Sequence, residues 1–529
     1  MAQQHRPTVL IVLDGWGVAL PSQANAIAQA KTPAYESYIQ HYPTLTLQAS
    51  GEATGLPWSE VGNSEVGHMS IGAGRIVFQE LSRINNAISQ GTFFENPAFL
   101  NAIKHCQASN GTLHLLGLAS SGGVHSHIEH LFALLELCKK KNLSRIAVHI
   151  ILDGRDTPYA QGIQFVKAVS EKCDEIGACI ASLSGRFYAM DRDHHWDREE
   201  KAYRAIAEGI SEHQSESAID AVEKSYAASV FDEECIPTVI VKDGKALAPI
   251  VSGDAVIFYN IRADRARQLT HIFVDDAFDK FNRKKIENLL FVTMTDYEKE
   301  LPVEVAFAPQ IVKNCIAEWI SAHGLKQIHI AETEKYAHIT YFLNDGQEEP
   351  FQNEKRIMIP SPSVDSYDKK PEMSAREITK EAVKAIESDE FEFIALNFAN
   401  SDMVGHTGNL KAAIKAVETI DDCLAQIVPA VLVRNGSVLI TADHGNAETM
   451  LDLATGRIDK EHTNNPVPCI IIAKEFEGKT SGFADRALGK DLSVFEPSGL
   501  LSDVAPTILA LLDLPKPPEM SGNSLLSFS

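Results

Sequence analysis

The sequence predicts an α/β fold in two domains. Three observations carry that prediction: short apolar runs recur along the chain, amphipathic stretches separate them, and chemically distinctive residues follow the runs at their carboxyl ends. The runs are residues 8–13, 112–118, 145–152, 178–183, 255–259, 289–293, 327–331, 393–398, 437–441 and 469–473. Most lack period-two alternation, as expected of strands covered on both faces. Helix-like segments lie between them at 128–140, 161–176, 197–208, 311–322 and 412–428. Strand and helix signals that alternate in this way imply mainly parallel sheets flanked by helices.

Composition narrows the function. At the usual ~100–200 residues per domain, 529 residues make more than one compact unit. Hydrophobic content of 44% and charged content of 22% belong to a globular chain rather than a disordered one. Lys and Arg total 48 against 71 Asp and Glu, a net charge of −23. That balance argues against a nucleic-acid or anionic-membrane partner. It leaves room for a small anionic substrate, provided cations are gathered locally. No apolar run reaches the ~18–20 residues of a membrane helix, and residues 9–13 are too short for a secretory leader. The eight cysteines include no C-x-x-C pair. They read as reduced, buried thiols of a cytoplasmic protein rather than a disulfide scaffold or thiolate zinc site.

In parallel sheets functional groups gather just beyond the carboxyl ends of strands, and two kinds of residue appear there. The first is metal-ligand chemistry. Asp14 follows run 8–13, Asp402 and His406 follow 393–398, and Asp443 and His444 follow 437–441, while His462 sits in a later loop. Carboxylates and imidazoles without thiolate suit Mn, Mg, Zn or Co. A pair of such ions can clamp the attacking and leaving oxygens of a phosphoryl displacement. The segment Gly62-Asn63-Ser64-Glu65-Val66-Gly67-His68 adds a serine between glycines. If it opens a helix, backbone N–H groups point at a bound anion, and metal coordination is one route to activating the hydroxyl. The alternative is that Ser64 merely caps the helix.

The second kind is arginine. Arg155 follows 145–152, Arg186 and Arg192 follow 178–183, Arg262 and Arg265 follow 255–259, and His125 follows 112–118. Guanidinium forks bind carboxylate and phosphate bidentately, so an acidic chain with arginines at successive strand ends suits a polyanionic small molecule. Asp156, beside Arg155, serves either as general acid/base or as an ion-pair partner. Lys335 either neutralises a phosphate or is a surface lysine. The pair His194-His195 reads as loop or surface.

The metal candidates lie early and late, and the arginines lie between. The simplest organisation is a metal domain over residues 1–77 and 311–529, with a second α/β domain, residues 78–310, inserted into it. The connectors fall near residues 75–83 and 296–309.

Four motifs carry a resemblance: Gly62-Asn63-Ser64-Glu65-Val66-Gly67-His68, Leu152-Asp153-Gly154-Arg155-Asp156, Glu332-Thr333-Glu334-Lys335-Tyr336-Ala337-His338 and Thr441-Ala442-Asp443-His444-Gly445-Asn446. In these, in motif order and in length, the chain resembles the cofactor-independent (2,3-bisphosphoglycerate-independent) phosphoglycerate mutases of the alkaline phosphatase superfamily. The resemblance implies an isomerase that interconverts 3-phosphoglycerate and 2-phosphoglycerate in glycolysis and gluconeogenesis. It implies an alkaline-phosphatase-like metal domain and two divalent ions, Mn most readily and Mg, Co or Zn otherwise. By motif match, Asp14, Ser64, Asp443 and His444 would hold one ion, and Asp402, His406 and His462 the other. His125, Arg155, Asp156, Arg186, Arg192, Arg262, Arg265 and Lys335 would bind substrate.

On this reading Ser64 becomes a phosphoserine and Asp156 shuttles a hydroxyl proton. Exclusion of water requires the domains to close over the substrate. A monomer is the default expectation. A metal-dependent hydrolase and a catalytically silent phospholigand-binding protein remain the alternatives.

Overall fold

The computed structural model describes residues 7–310, 312–479 and 491–526. They divide into two compact units: residues up to Gln79 together with those from Ile311 onward, and Glu80–Gln310.

The first unit is built on an eight-stranded sheet. Its order is Glu354–Ile359, Gln327–Glu332, Phe393–Phe398, Thr8–Leu13, Ser437–Thr441, Val467–Ile472, Thr44–Gln48 and Gly499–Leu500. The first five strands run parallel; Val467–Ile472 is antiparallel to both of its neighbours. Thr8–Leu13 is wholly buried, as its unbroken apolar sequence requires, and pairs with Phe393–Phe398 on one side and Ser437–Thr441 on the other. That placement decides the chemistry below. The three strands end level, so the residues that follow them emerge side by side. Helices Ala375–Glu387 and Leu410–Val433 pack together, and Ile378, Ala382, Ala413, Ile420 and Leu424 bury their apolar stripes in the core.

The second unit has a nine-stranded sheet. Its main path is Glu304–Phe307, Leu290–Thr295, Ala255–Phe258, Leu113–Ala119, Ile146–Leu152, Cys179–Gly185, Thr238–Lys242 and His213–Ser215. It is parallel as far as Cys179–Gly185, which meets Thr238–Lys242 antiparallel. The short strand Lys245–Ala246 pairs with Thr238–Lys242 off this path. A polar chain is buried in this sheet. Asp254 Oδ2 lies 3.2 Å from His114 Nε2, His114 Nδ1 3.0 Å from His149 Nε2, and His149 Nδ1 2.8 Å from Ser182 Oγ. Each ring thus meets the hydrogen-bond demand that burial imposes.

All ten expected runs are strands, within two residues at their ends. The strands not anticipated are those at sheet edges or in antiparallel pairing. Glu354–Ile359 carries charge, as edge strands do, and Thr44–Gln48 alternates Thr with Leu. The expected helix at 311–322 is Ile316–Ala322; residue 311 lies outside the described residues. That at 197–208 is the helix Trp196–Tyr203 running into a π turn, Arg204–Glu208. The cysteines are free and, Cys179 apart, buried. Among the described residues no helix is long and apolar enough to cross a membrane.

Candidate active site

In the first unit the loops after the central strands bring Asp14, Ser64, Lys335, Asp402, His406, Asp443, His444 and His462 into one cluster. Ser64 opens the helix Ser64–Ala73. The cap, however, is Asn63, whose Oδ1 accepts from Val66 N–H at 2.9 Å. Ser64 is therefore free of capping duty, contrary to the simpler reading of its motif. Its Oγ lies 2.7 Å from Lys335 Nζ, 2.8 Å from His444 Nε2 and 3.2 Å from Asp14 Oδ1. His444 Nδ1 faces the Gly445 carbonyl at 3.2 Å. A carbonyl only accepts, so the ring proton sits on Nδ1 and the Nε2 lone pair faces the serine.

Close approach of the loops explains Gly67, in the motif of Ser64, and Gly15, which follows Asp14. A Cβ on Gly67 would stand 2.6 Å from the Asp443 carbonyl oxygen. A Cβ on Gly15 would stand 2.7 Å from Asp402 Cα, and Gly15 also has φ +71°, the left-handed region. Only glycine lets the helix of Ser64 and the loop of Asp14 press against the other two ligand loops.

The carboxylates and imidazoles form two groups whose candidate ligand atoms all lie within 4.8 Å of one another: Asp402 with His406 and His462, and Asp14 with Asp443 and His444. In the first, Asp402 Oδ1 is 3.2 Å from Nε2 of each histidine, and the two Nε2 atoms are 3.0 Å apart. His406 Nδ1 faces the Lys460 carbonyl at 2.6 Å, and His462 Nδ1 the Gly62 carbonyl at 2.9 Å. Both rings therefore carry a proton on Nδ1, so in their neutral forms two Nε2 lone pairs face each other, which no hydrogen bond satisfies. A cation with ~2.1 Å bonds to nitrogen and oxygen does satisfy them. In the second group the buried Asp443 Oδ2 has only His68 Nδ1 at hydrogen-bonding distance, 3.2 Å, a ring nitrogen that already faces the Ser64 carbonyl, and so lacks a hydrogen bond of its own. His444 Nε2 stands 3.6 Å from both that oxygen and Asp14 Oδ1. On these observations both groups fit divalent ions.

Lys335 is buried, not a surface residue, and pairs with Asp14 Oδ1 at 2.6 Å and Asp402 Oδ2 at 2.7 Å. Burial opposes its charge, but Asp14, Asp402 and Asp443 outweigh burial and raise its pKa. Burial likewise pushes the Asp402 carboxyl up, while Lys335, His406 and His462 hold it well below its ordinary value. Asp14 is raised by burial and by Asp443, against the pull of Lys335. Three carboxylates and one fixed cation crowd a small space, an excess of negative charge that suits added cations.

The second unit gathers the arginines. Arg186 is buried and bonds Asp153 Oδ1 at 2.6 Å and Asp156 Oδ2 at 2.8 Å. Asp264 takes Arg192 at 3.1 Å and Arg262 at 3.1 Å, with His125 Nδ1 at 3.7 Å. Arg265 donates to the Met190 carbonyl at 3.1 Å. Burial, then the nearby charges of Arg192, Arg186 and Arg155, lower its pKa. Arg155 is half exposed and turns to Glu233 at 2.6 Å. His125 is pulled down to about 4 by burial and by Arg186, so it is neutral near pH 7. Arg192, Arg186 and Arg155 thus lie close enough to Arg265 for their charges to act on it, a gathering of guanidinium groups that fits an anion.

Two relatives decide the family. A Moorella thermoacetica protein named 2,3-bisphosphoglycerate-independent phosphoglycerate mutase is 48% identical over 99% of this chain and 98% of its own length. A Clostridium acetobutylicum protein of the same name is 49% identical over 98% of this chain and 99% of its own. The chain belongs to the 2,3-bisphosphoglycerate-independent phosphoglycerate mutase family. A family model described as the BPG-independent PGAM N-terminus matches residues 84–299 of this mutase-family chain, within the second unit. A crystal structure of Leishmania mexicana phosphoglycerate mutase, studied at low cobalt concentration, is 30% identical to it. That match covers 98% of this chain and 97% of that one, at a TM-score of 0.55.

Some residues of this family member escaped sequence reasoning. Asn397 Nδ2 donates to Asp14 Oδ2 at 2.8 Å and lies 3.0 Å from His68 Nε2, while His68 Nδ1 lies 2.8 Å from the Ser64 carbonyl oxygen. The signal was present: an asparagine inside the apolar strand Phe393–Phe398 must find a buried partner. Asn446 Nδ2 donates to Asp402 Oδ1 at 2.9 Å. In the second unit Asp153 Oδ1 accepts from the backbone N–H of Arg155 and of Asp156, and so shapes their turn. His195 does lie with Asp191 and Asp193. Asp191, however, accepts from His195 N–H at 2.9 Å, Asp193 N–H at 3.0 Å and Gln268 Nε2 at 3.1 Å. These bonds spend Oδ2 on the loop of Arg192, and Oδ1 pairs with His195 Nδ1 at 2.9 Å and Arg198 at 3.5 Å.

Proposed function

We propose that the chain isomerises 3-phosphoglycerate to 2-phosphoglycerate, and back, through a phosphoserine on Ser64 and without 2,3-bisphosphoglycerate. The observation that carries this reading is the setting of Ser64 Oγ, within 2.7–3.2 Å of Lys335, His444 and Asp14 beside two candidate metal groups.

Asp14, Ser64, Asp443 and His444 would hold one divalent ion and Asp402, His406 and His462 another. Bound there, the ions would supply positive charge toward phosphoryl oxygens and favour the ionised serine. Imidazole and carboxylate donors without thiolate suit manganese, magnesium, cobalt or zinc, and the family resemblance favours manganese.

Ser64 Oγ attacks phosphorus, with Asp14 Oδ1 within reach of its proton. The bond from phosphorus to the glycerate oxygen breaks, that oxygen takes a proton from Asp156, and phosphoserine forms. Lys335 Nζ, which donates to the attacking oxygen, offsets charge on the transferring group. Arg155, Arg186, Arg192, Arg262 and Arg265, with His125, bind the acid's carboxylate and hold dephosphorylated glycerate until its other hydroxyl is presented. Asp156, joined to Arg186, takes the proton of that hydroxyl as the phosphoryl group returns. The arginine cluster favours an isomerase over a hydrolase, because a hydrolase has no use for a grip on the product acid. The metal groups of the first unit and the arginine cluster of the second define a phosphoryl-transfer domain and a substrate domain. Free cysteines accord with a reducing cytoplasm. All candidate ligands come from one chain, which suits a monomer.

The test is an assay of 3-phosphoglycerate with added Mn and no 2,3-bisphosphoglycerate. We expect 2-phosphoglycerate, and its loss when a chelator removes the metal. Inorganic phosphate without isomer would contradict the reading.

A further inference from the structure

Glu448 is a buried carboxylate that binds no candidate ligand atom, yet it touches three of the ligand-bearing loops. It is 2% exposed. Its Oε2 accepts from Gly17 N–H at 3.1 Å and from Asn446 N–H at 2.8 Å. Gly17 lies in the loop after Asp14, and Asn446 in the loop after Asp443 and His444. Its Oε1 accepts from the Thr463 hydroxyl and from Asn465 Nδ2, the latter at 3.0 Å. These flank His462 on its carboxyl side. The loops leave room for this carboxylate and nothing more: a Cβ on Gly17 or on Gly445 would overlap it. Thr463 also pairs with Gly445 as an isolated bridge, N–H to carbonyl at 3.0 Å.

A carboxylate that satisfies donors on both oxygens, all from short loops without regular structure, fixes those loops relative to one another. The consequence falls on His462. Its Nε2 must stay beside Asp402 Oδ1 and His406 Nε2, and no helix or strand holds it there. Asp402 is held from the same hub, because Asn446 donates its backbone N–H to Glu448 and its side-chain amide to Asp402.

We propose that Glu448 is a positioning residue that holds His462 and Asp402 at metal-binding separation, and so sets affinity at the group Asp402, His406 and His462. The inference rests on the reading that this group holds a divalent ion. Outer partners of metal ligands typically contribute ~10–100-fold in affinity.

The test titrates Mn into metal-free protein by calorimetry, for the parent chain, Glu448→Gln, Thr463→Val and the reference His406→Ala. The binding step that His406→Ala abolishes identifies the ion concerned. We expect Glu448→Gln to weaken that step ~10–100-fold and Thr463→Val to weaken it less, with the other step little changed. Melting of each protein with and without Mn supplies a second readout. A positioning role reduces the Mn-induced rise in Tm more than it lowers the metal-free Tm. Should Glu448→Gln not fold, Thr463→Val alone decides. Unchanged affinity, or equal weakening of both steps, overturns the inference. Absence of Mn binding by the parent chain overturns the metal reading itself.

Discussion

Ser64→Ala is expected to abolish isomerisation, by on the order of 10⁴-fold or more, and to leave the fold intact. The two halves of this expectation have separate causes. The hydroxyl is the only part of the side chain that the substitution removes, and it is the atom that Lys335, His444 and Asp14 converge upon. The helix does not depend on it, because Asn63 supplies the cap and Gly67 N–H bonds to the Asn63 carbonyl at 2.9 Å. Loss of one buried hydroxyl should change stability by about 1 kcal/mol. Turnover of 3-phosphoglycerate and thermal melting of the same preparation check both halves. Retention of a few per cent of turnover would remove Ser64 from the role of nucleophile.

Lys335→Met is expected to impair both stability and catalysis, and the metal should separate the two effects. The ammonium group is buried within 2.6–2.7 Å of Asp14 and Asp402. Methionine nearly matches the stem in volume but leaves those carboxylates without their fixed cation. Breaking a buried pair in this way costs ~3–5 kcal/mol. The metal-free variant should therefore melt well below the metal-free parent. Divalent ions carry charge of their own to the same carboxylates, so the gap should narrow when Mn is added. Turnover should stay low, by ~10²–10³-fold, because a donor aimed at the transferring group is gone. Melting curves with and without Mn, beside turnover at saturating Mn, test this. Equal melting temperatures for the two metal-free proteins would contradict the electrostatic account.

Much of the architecture was legible because parallel strands buried on both faces write themselves as plain apolar runs. Thr8–Leu13, Phe393–Phe398 and Ser437–Thr441 are examples, and each announces the reactive residue that follows it. Edge and antiparallel strands such as Glu354–Ile359 and Thr44–Gln48 were not, because their composition answers to solvent or to alternation rather than to a core.

Which strands are neighbours was also out of reach. Residues 8–13 and 393–398 are adjacent in the sheet although hundreds of positions separate them, and this adjacency brings Asp14 to Asp402. Residue type and strand-end position pointed to Asp14, Asp443 and the arginines. The side chains that orient them are Asn397, His68, Asn446 and Glu448. They were hidden because their role depends on partners from other loops, and local pattern carries no such information.

The route of the phosphoryl group through Ser64 is the claim on which the rest turns, and trapping it tests that claim most directly. Protein turning over 3-phosphoglycerate in the presence of Mn would be quenched in acid within milliseconds and its peptides weighed by mass spectrometry. The account predicts an added phosphoryl group on the peptide containing Ser64, absent when 3-phosphoglycerate is omitted. Isomer formation with the phosphoryl group on another side chain, or on none, would contradict it.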